Sequence, residues 1–510
     1  MPIRIEKDEE QTQPGGDRGK QRERKGGSGL GGLLPMIPPL LLKNPKLLIV
    51  VIIGFGAMYF FKRGCNPADI PTQQSAAFGK GCEMKQEVYD KAEVFAALSD
   101  KEKLPEQVSL ERFAPTRQNQ GSQGSCVGWG SAYAARTIMQ SASTGVDPDQ
   151  TAFSPAFTYN QIGLSGCQGS YIVKAMESLS QVGAVPISEF PYREESCSEK
   201  PEPFHLQEAS KFRMRGYNRL SLDGDNYAVD ILAMKQNLAK GGPVVIGMAV
   251  GGSFMQEMMG QKVWHPTEAD YSKQGFGGHC MCVIGYDDYL EGGAFQIMNS
   301  WGKEWGENGI AWVRYSDFEY FAMEAYGLDP LAKQGTETLL KGSVGLISKD
   351  GSAFFPFKLV DGNLFSTITP MPIGTRFKVE VSNSIECYTY VLGQDTDQSS
   401  YVLFPYTDKH SAYCGITGTR IFPRDYSLVA DNIGNRDYMA IIVSKQQLDI
   451  KDLNAKINQS QAGGYRERVN RVLGSLLADN TRFSTGETIN FDLDTKNKTA
   501  IALVFEIEKR

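Results

Sequence analysis

The C-terminal third of the chain alternates apolar and polar positions in short segments, a spacing typical of half-buried β-strands. The predicted strands cover residues 386–392, 401–404, 438–443 and 501–507. One longer segment, 453–476, has apolar residues at helical spacing and predicts a helix. We therefore expect a separate, antiparallel β-rich domain over residues 343–510, preceded by a linker at 331–342.

The middle of the chain follows a different pattern. Residues 104–330 mix helical and strand signals and contain no internal repeat. A chain of 510 residues is also too long for one ordinary hydrophobic core, which predicts two or three domains. The apolar fraction of 41% and the charged fraction of 22% are typical of globular proteins.

The N-terminal region has almost no apolar residues until an uncharged run at 47–61. We expect residues 1–45 to be a disordered, basic tail and residues 46–63 to be a transmembrane anchor. As a helix the run spans about 22 Å, short of a hydrocarbon core of about 30 Å, and flanking lysine and arginine side chains can reach the interface. A cleaved signal peptide is the alternative. The long polar leader and the lack of a small-residue cleavage site favour the anchor.

Basic residues are concentrated before the apolar run, with only Lys62 and Arg63 close behind it. This bias predicts a single-pass membrane protein with a cytoplasmic N-terminus, so that everything after residue 64 faces a periplasm or the cell exterior. Residues 64–103 are then a linker or short pre-segment. The net charge of -6 gives no electrostatic reason to expect a nucleic-acid partner.

The stretch around Cys126 combines a loop rich in Gly, Ser and Gln with a helix of small residues. At the start of such a helix, free N–H groups and the helix dipole favour a thiolate. For the residue alone, a buried structural cysteine is the favoured interpretation, because free cysteine is among the most buried residue types.

Two downstream motifs favour the chemical interpretation. His279 follows two glycines and precedes an apolar strand, and Asn299 ends a second predicted strand directly before Ser300-Trp301-Gly302. A cysteine followed far downstream by a histidine, with an asparagine beyond it, is the order expected of a cysteine protease. Three histidines lack such a context: His205, His265 and His410.

These motifs resemble the papain/cathepsin family of cysteine peptidases, and the resemblance extends over about residues 104–329. Further segments occur in the family's order: LPEQV at 104–108, NQGS at 119–122, GCQG at 166–169, FPY at 190–192, GPV at 242–244 and WGENG at 305–309. The resemblance implies an α+β, papain-like two-lobed fold over residues 104–330, with a helical lobe and a β-barrel-like lobe.

The resemblance also implies the catalytic roles. Cys126 is the expected nucleophile and His279 the base that takes its proton, giving a thiolate–imidazolium pair. Asn299 is expected to fix the ring of His279, and Trp301 to shield that bond and border the cleft. Gln120 is expected to supply an amide to the oxyanion hole beside the backbone N–H of Cys126.

Substrate contacts follow from the same resemblance. Gly169 and Ser170 are expected to contact the substrate backbone, and Gly247 and Cys280 to line the main side-chain pocket. Cys280 and Cys282 face one side of a strand, where packing is favoured over metal binding. We expect no metal and no cofactor.

The chain departs from the family around the nucleophile. Gln123 and Val127 stand where the family has a cysteine and an aromatic residue. Cys167 therefore lacks its customary partner, and Cys197 resembles one half of a second family disulfide whose other half is missing. We predict a rearranged Cys167–Cys197 bridge in an oxidising compartment. Cys387 and Cys414 are candidates for a further bridge.

The sequence thus predicts an exported, membrane-anchored cysteine endopeptidase that hydrolyses polypeptides through an acyl-enzyme. Two alternatives keep the fold: a catalytically silent scaffold that presents the C-terminal domain, and a transpeptidase that transfers the acyl group to an amine. The C-terminal domain weakly resembles a β-rich bacterial accessory module, and we expect it to bind a protein or envelope partner.

Overall fold

The structure is a computed structural model. It describes residues 3–8, 79–89, 92, 98–99, 103–221, 228–331, 338–407, 410–424, 426–461, 463–478, 481–496 and 498–510. The apolar run at 47–61 and most of the basic tail lie outside these residues, as does the middle of the expected linker. Among the described helices, none has the length and apolarity needed to cross a membrane.

Residues from Cys126 to Thr144 form one continuous helix, wound as a π-helix over Trp129–Arg136. It ends at Gly145, which takes the left-handed conformation common after helices. Its glycines permit close packing, since a Cβ on Gly130 would lie 2.8 Å from Cys280 Sγ. The other α-helices described before residue 330 are Gln86–Tyr89, Pro155–Ile162, Ile172–Gln181, Pro203–Ala209, Ile231–Ala239, Gly252–Gln256 and Tyr315–Phe321.

An eight-stranded, mostly antiparallel sheet packs against this helix. Its central strand, Gly277–Asp287, also pairs with the short strand Gln107–Ser109. The strand is buried from Cys280 to Tyr286, which explains its nearly continuous apolar sequence. In spatial order the sheet is Tyr217–Arg219, Ala322–Leu328, Val244–Val250, Gly277–Asp287, Ala294–Met298, Ile310–Arg314 and Val263–Trp264.

Two further sheets face each other in the C-terminal third. One runs Ile3–Lys7, Tyr426–Ala430, Arg376–Asn383, Leu339–Ser348, Ile489–Asp494 and Phe483–Thr485, with Phe354–Phe355 and Gly418–Phe422 at its side. The other runs Phe357–Asp361, Leu364–Thr367, Ala500–Glu508, Arg436–Ser444, Cys387–Gln394 and Ser400–Phe404, with Tyr413–Cys414 at its side.

Alternation along the strands explains the layers of this β-rich region. Val391 packs into the core between the two sheets, whereas its neighbours Tyr390 and Leu392 pack under two helices on the outer face. Those helices are Ile450–Gln459 and Tyr465–Leu473. The single helix expected over 453–476 is therefore wrong: two helices flank a segment that contains Gly463 and Gly464, which disfavour a continuous helix.

The expectation of a structureless N-terminal tail is wrong for its first residues. Ile3–Lys7 form an antiparallel strand against Tyr426–Ala430, with Ile5 opposite Leu428. The alternating sequence Ile-Arg-Ile-Glu carries the strand signal, and Ile3 is buried. Ion pairs from Glu6 to Arg376 and from Asp8 to Lys378 fix this edge, and both partners lie on the next strand of the sheet, Arg376–Asn383.

The β-rich region is not separate from the preceding residues, because residues 77–510 fall within one compact unit. Ion pairs join the two parts, from Arg424 to Asp230 and from Arg215 to Glu386. Asp329 is fully buried at the same junction, beside Gly415. The expectation of an independent domain missed these contacts, since each joins residues far apart in sequence.

Candidate active site

Cys126 occupies the first position of the long helix, as the sequence predicts, and its side chain is fully buried. Burial raises the pKa of its thiol to about 12, against the effect of backbone hydrogen bonds from Cys280, Val127 and Gly81. The backbone of Cys280, the residue after His279, therefore lies near the Cys126 thiol.

His279 is held by the asparagine that the sequence singles out. Its Nε2 lies 2.7 Å from Oδ1 of Asn299, and the ring of Trp301 stacks on the imidazole at a centroid distance of 4.3 Å. The other ring nitrogen, Nδ1, is buried and has no hydrogen-bond partner among the described residues. It therefore makes no bond to the sulfur of Cys126 in this state.

The histidine is neutral in this environment. Burial lowers the pKa of His279 to about 4, outweighing the opposite effect of its Asn299 bond, and nearby Lys80 lowers it further. Together with the raised pKa of Cys126, this gives a thiol and a neutral imidazole. The buried arrangement thus disfavours the expected thiolate–imidazolium pair, because burial penalises both charged forms.

Gln120 is fully buried and bonded at both ends of its amide. Its Nε2 donates to the carbonyl oxygen of Gln123 at 2.9 Å, and its Oε1 accepts from Ser300 Oγ at 2.6 Å. These bonds place the amide in the loop that leads into Cys126. Ser300 follows Asn299, so its bond to Gln120 joins the loop before Cys126 to the residue that holds His279.

Residues 106–326 match the family model described as papain family cysteine protease. The chain contains a papain-family cysteine peptidase domain. The family model and the curated cathepsins show a hydrolase activity for this domain.

Individual relatives are distant. The chain is 26% identical over 227 residues to cathepsin B-like CP2 of Giardia intestinalis, which covers 41% of this chain and 69% of the relative. It is 23% identical over 215 residues to cathepsin K of Mus musculus, covering 41% and 59%. Among solved structures, xylellain, a cysteine protease from Xylella fastidiosa, aligns with 22% identity and a TM-score of 0.41. That alignment covers 52% of this chain and all of xylellain.

A segment of the same chain fills the cleft of the peptidase domain. We call residues 79–89 the strap. Gly79 N donates to Gly121 O at 2.9 Å, and Trp301 Nε1 donates to Gly79 O at 3.0 Å. Gly81 N and Cys82 N both donate to Gly278 O, at 3.2 and 3.1 Å. The strap therefore crosses the cleft between the loop before Cys126 and the strand that carries His279.

The expected substrate-contacting residues all border the strap or its pocket. Ser170 N donates to Gly81 O at 2.8 Å and Ser170 O accepts from Glu83 N at 2.9 Å. A Cβ on Gly169 would lie 2.7 Å from Gly81 O, so the strap and this loop touch through backbone atoms. The expected contact surface is thus occupied by the chain itself.

The side chain of Cys82 enters the expected pocket. Its sulfur lies 3.6 Å from Oε1 of Glu324 and would be 3.2 Å from a Cβ on Gly247, whose partner across the sheet is Cys280. Burial raises the pKa of Glu324 to about 7, against hydrogen bonds from Tyr326 and Cys82. Sequence reasoning missed Glu324 and the strap. Two closely spaced glycines, at 79 and 81, were the available signal.

The predicted rearranged disulfide is confirmed, since Cys167 and Cys197 are bonded. Cys387 and Cys414 are register partners on adjacent strands, but both are free thiols. Cys280 and Cys282 are free and buried in the sheet. Within the described residues, no group of three or more His, Cys, Asp or Glu is arranged to hold a metal ion.

Proposed function

We propose that this chain is a cysteine endopeptidase that hydrolyses peptide bonds through an acyl-enzyme on Cys126. One observation carries the proposal: Asn299 holds Nε2 of a buried His279, which leaves Nδ1 without a partner beside the helix that begins at Cys126. An imidazole fixed at one nitrogen is oriented to take a proton at the other.

The chemistry follows from these positions once the strap leaves the cleft. The Cys126 thiol gives its proton to Nδ1 of His279, and the thiolate attacks the substrate carbonyl carbon. The side-chain amide of Gln120 and the backbone N–H of Cys126 stabilise the oxyanion. The C–N bond then breaks, and the imidazolium gives its proton to the leaving amine. Water, deprotonated by His279, hydrolyses the thioester and regenerates the thiol.

We infer that the described arrangement is latent. The strap takes both backbone hydrogen-bonding positions of Ser170 and fills the Gly247 pocket with Cys82. A substrate that needs the same positions must displace it. Latency also agrees with the neutral thiol and imidazole, because burial under the strap excludes the water that would stabilise charge.

A turnover experiment tests the proposed activity. The chain with Gly81→Val, in which a side chain disturbs the strap, is incubated with a mixture of polypeptides and an added amine nucleophile, and the products are identified by mass spectrometry. Hydrolysed products that disappear in the added variant Cys126→Ala support the peptidase. Amide products with the added amine would indicate a transpeptidase, and a folded but inactive chain would indicate a scaffold.

We also propose that the peptidase domain acts outside the cytoplasm, held at a membrane by residues 47–61. The excess of basic residues before this run supports the orientation. The Cys167–Cys197 disulfide supports an oxidising compartment. A partner of the β-rich region, protein or envelope, remains part of the proposal.

The paired N-terminal strand sets a condition on this topology. Ile3–Lys7 lie in the same compact unit as the peptidase domain, paired with Tyr426–Ala430. A single crossing by residues 47–61 would put these two strands on opposite sides of the membrane. The single-pass topology therefore holds only where the N-terminal strand is released from the sheet.

A further inference from the structure

The loop that leads into Cys126 is braced from outside by the segment 192–194. The Tyr192 hydroxyl donates to Gln120 O at 2.7 Å and lies 2.7 Å from Ser125 Oγ. The loop consists of residues 120–125. These bonds fix its first residue, Gln120, and its last residue, Ser125.

Glu194 holds the middle of the loop. Its Oε1 accepts hydrogen bonds from Ser122 N at 2.7 Å and Ser122 Oγ at 3.0 Å. The carboxyl group also covers Gly121, where a Cβ would lie 1.9 Å from Glu194 Cδ. Gly121 has a positive φ of 65°, a conformation that favours glycine, so its neighbour Glu194 packs on a tight turn.

Gln123 makes the reciprocal contact. Its Nε2 donates to Arg193 O at 3.2 Å and to Glu194 O at 3.1 Å. Gln123 stands where the resembling family has a cysteine, so this position lacks a covalent link. The Cys167–Cys197 disulfide also contacts this loop, because Gly124 N donates to Cys167 O at 3.1 Å.

We propose that Glu194, together with Gln123, is a positioning residue for the oxyanion-binding loop. These two residues do by hydrogen bonding what a disulfide at position 123 would do covalently. The proposal rests on the proposed peptidase function. Both expected oxyanion donors depend on this loop: the Gln120 amide lies in it, and the Cys126 N–H follows it directly. The donors stabilise the oxyanion only if their positions are fixed before the reaction.

Glu194 is expected to aid catalysis by holding the loop in position. It is not expected to act through its charge or through the stability of the whole fold. A carboxylate near a developing oxyanion would oppose the charge, so its benefit must come from the bonds to Ser122. Glu194 is exposed, and hydrogen bonds at exposed positions add little to global stability. Its loss should therefore change the rate of acyl transfer while leaving the stability of the fold nearly unchanged.

The test compares Glu194→Ala, Glu194→Gln and the matched control Glu195→Ala, each in the full chain with Gly81→Val. We expect Glu194→Ala to lower kcat at least about tenfold, short of the loss of about 10²–10³ for a missing donor, with KM nearly unchanged. Glu194→Gln keeps an acceptor for Ser122 N–H and should retain most of the activity, and Glu195→Ala should match the parent.

Two inhibitors separate positioning from a general structural effect. Iodoacetamide alkylates Cys126 without forming an oxyanion, so its rate should not change in Glu194→Ala. A peptide aldehyde forms a tetrahedral adduct with an oxyanion, so its affinity should fall by the same factor as kcat/KM. Equal losses in alkylation and hydrolysis would overturn the proposal, as would full activity of Glu194→Ala. A folded Gly81→Val parent that neither hydrolyses peptides nor takes up a peptidyl epoxide at Cys126 would instead refute the peptidase function.

Discussion

Gly81 of the strap passes so close to Gly124 of the nucleophile loop that a Cβ on Gly81 would lie 2.3 Å from the Gly124 carbonyl oxygen. The contact involves only backbone atoms on both sides. The backbones of residues 81 and 124 lie so close together that no side chain fits at position 81. The latent state therefore depends on glycine at this position.

Replacing Gly81 tests this dependence directly. We expect Gly81→Val to displace the strap and to raise peptide hydrolysis at least about tenfold. Weakening the binding of the strap to the cleft by about 1.4 kcal/mol is enough to raise the ratio of open to covered clefts tenfold. The measurement is the initial rate with a fluorogenic peptide. Lys85→Ala is the matched control, because it alters the strap outside the cleft. Equal rates for the parent chain and Gly81→Val would contradict a strap-imposed latency.

Alkylation of Cys126 as a function of pH tests the neutral thiol and imidazole. With the strap in place, the thiol pKa of about 12 and the His279 pKa of about 4 leave almost no thiolate between pH 5 and 10. Alkylation should be slow across this range and should rise only towards the upper end. In Gly81→Val, renewed hydration lowers the thiol pKa and raises that of His279, so fast alkylation should begin near neutral pH. Identical profiles for the two forms would contradict this account.

Stability at the junction with the β-rich region should depend on pH. Burial raises the pKa of Asp329 from 3.8 to about 7, against the neighbouring Arg420 and Arg215. The folded state binds this proton more tightly than the unfolded state. The contribution to stability is therefore complete below about pH 4 and lost as the pH rises through 7.

Asp329→Asn removes that dependence. At about 1.4 kcal/mol per pKa unit, the wild-type chain should lose a few kcal/mol of unfolding free energy between pH 4 and 8 through this group. Glu324, whose pKa is also about 7, adds to the loss in both chains. Urea unfolding at the two pH values should give a smaller difference for Asp329→Asn. If the wild-type chain and Asp329→Asn lost the same unfolding free energy between pH 4 and 8, the predicted cost of burying the charged form of Asp329 would be contradicted.

The sequence was sufficient to predict the residues whose chemistry is tied to a local motif. Cys126, His279 and Asn299 each stand near the end of a helix or strand with a recognisable neighbourhood. The structure bonds His279 to Asn299 and places Cys126 at the start of its helix. The bridge between Cys167 and Cys197 followed from two cysteines that had each lost a customary partner. These predictions came from the family resemblance, which rests on motifs that occur in a fixed order along the chain.

The strap, Glu324 and the N-terminal strand were missed for a common physical reason. The strap binds through the backbone of Gly79 and Gly81, which leaves no side-chain pattern to detect. Glu324 is an isolated carboxylate in an apolar strand, and its pocket is formed by residues distant in sequence. The N-terminal strand is too short to stand out beside a long polar leader, and only its partner at 426–430 explains its burial.

A cysteine pair tests the membrane topology. Ile5→Cys and Leu428→Cys are register partners, so the structure predicts that they form a disulfide within one chain purified away from membranes. The matched control is Glu6→Cys with Leu428→Cys, in which the side chains point to opposite faces. In intact cells, a single crossing by residues 47–61 predicts that the Ile5–Leu428 pair stays unlinked. A bridge mapped by mass spectrometry in cells would exclude that topology.

Covalent labelling of Cys126 is the most direct test of the central claim that His279 activates this thiol. The chain with Gly81→Val is treated at neutral pH with a peptidyl epoxide, and the modified residue is identified by mass mapping. We predict a single adduct at Cys126 that is lost when His279→Ala is added. Labelling that persists without the imidazole, or a folded chain that takes up no label, would contradict the account.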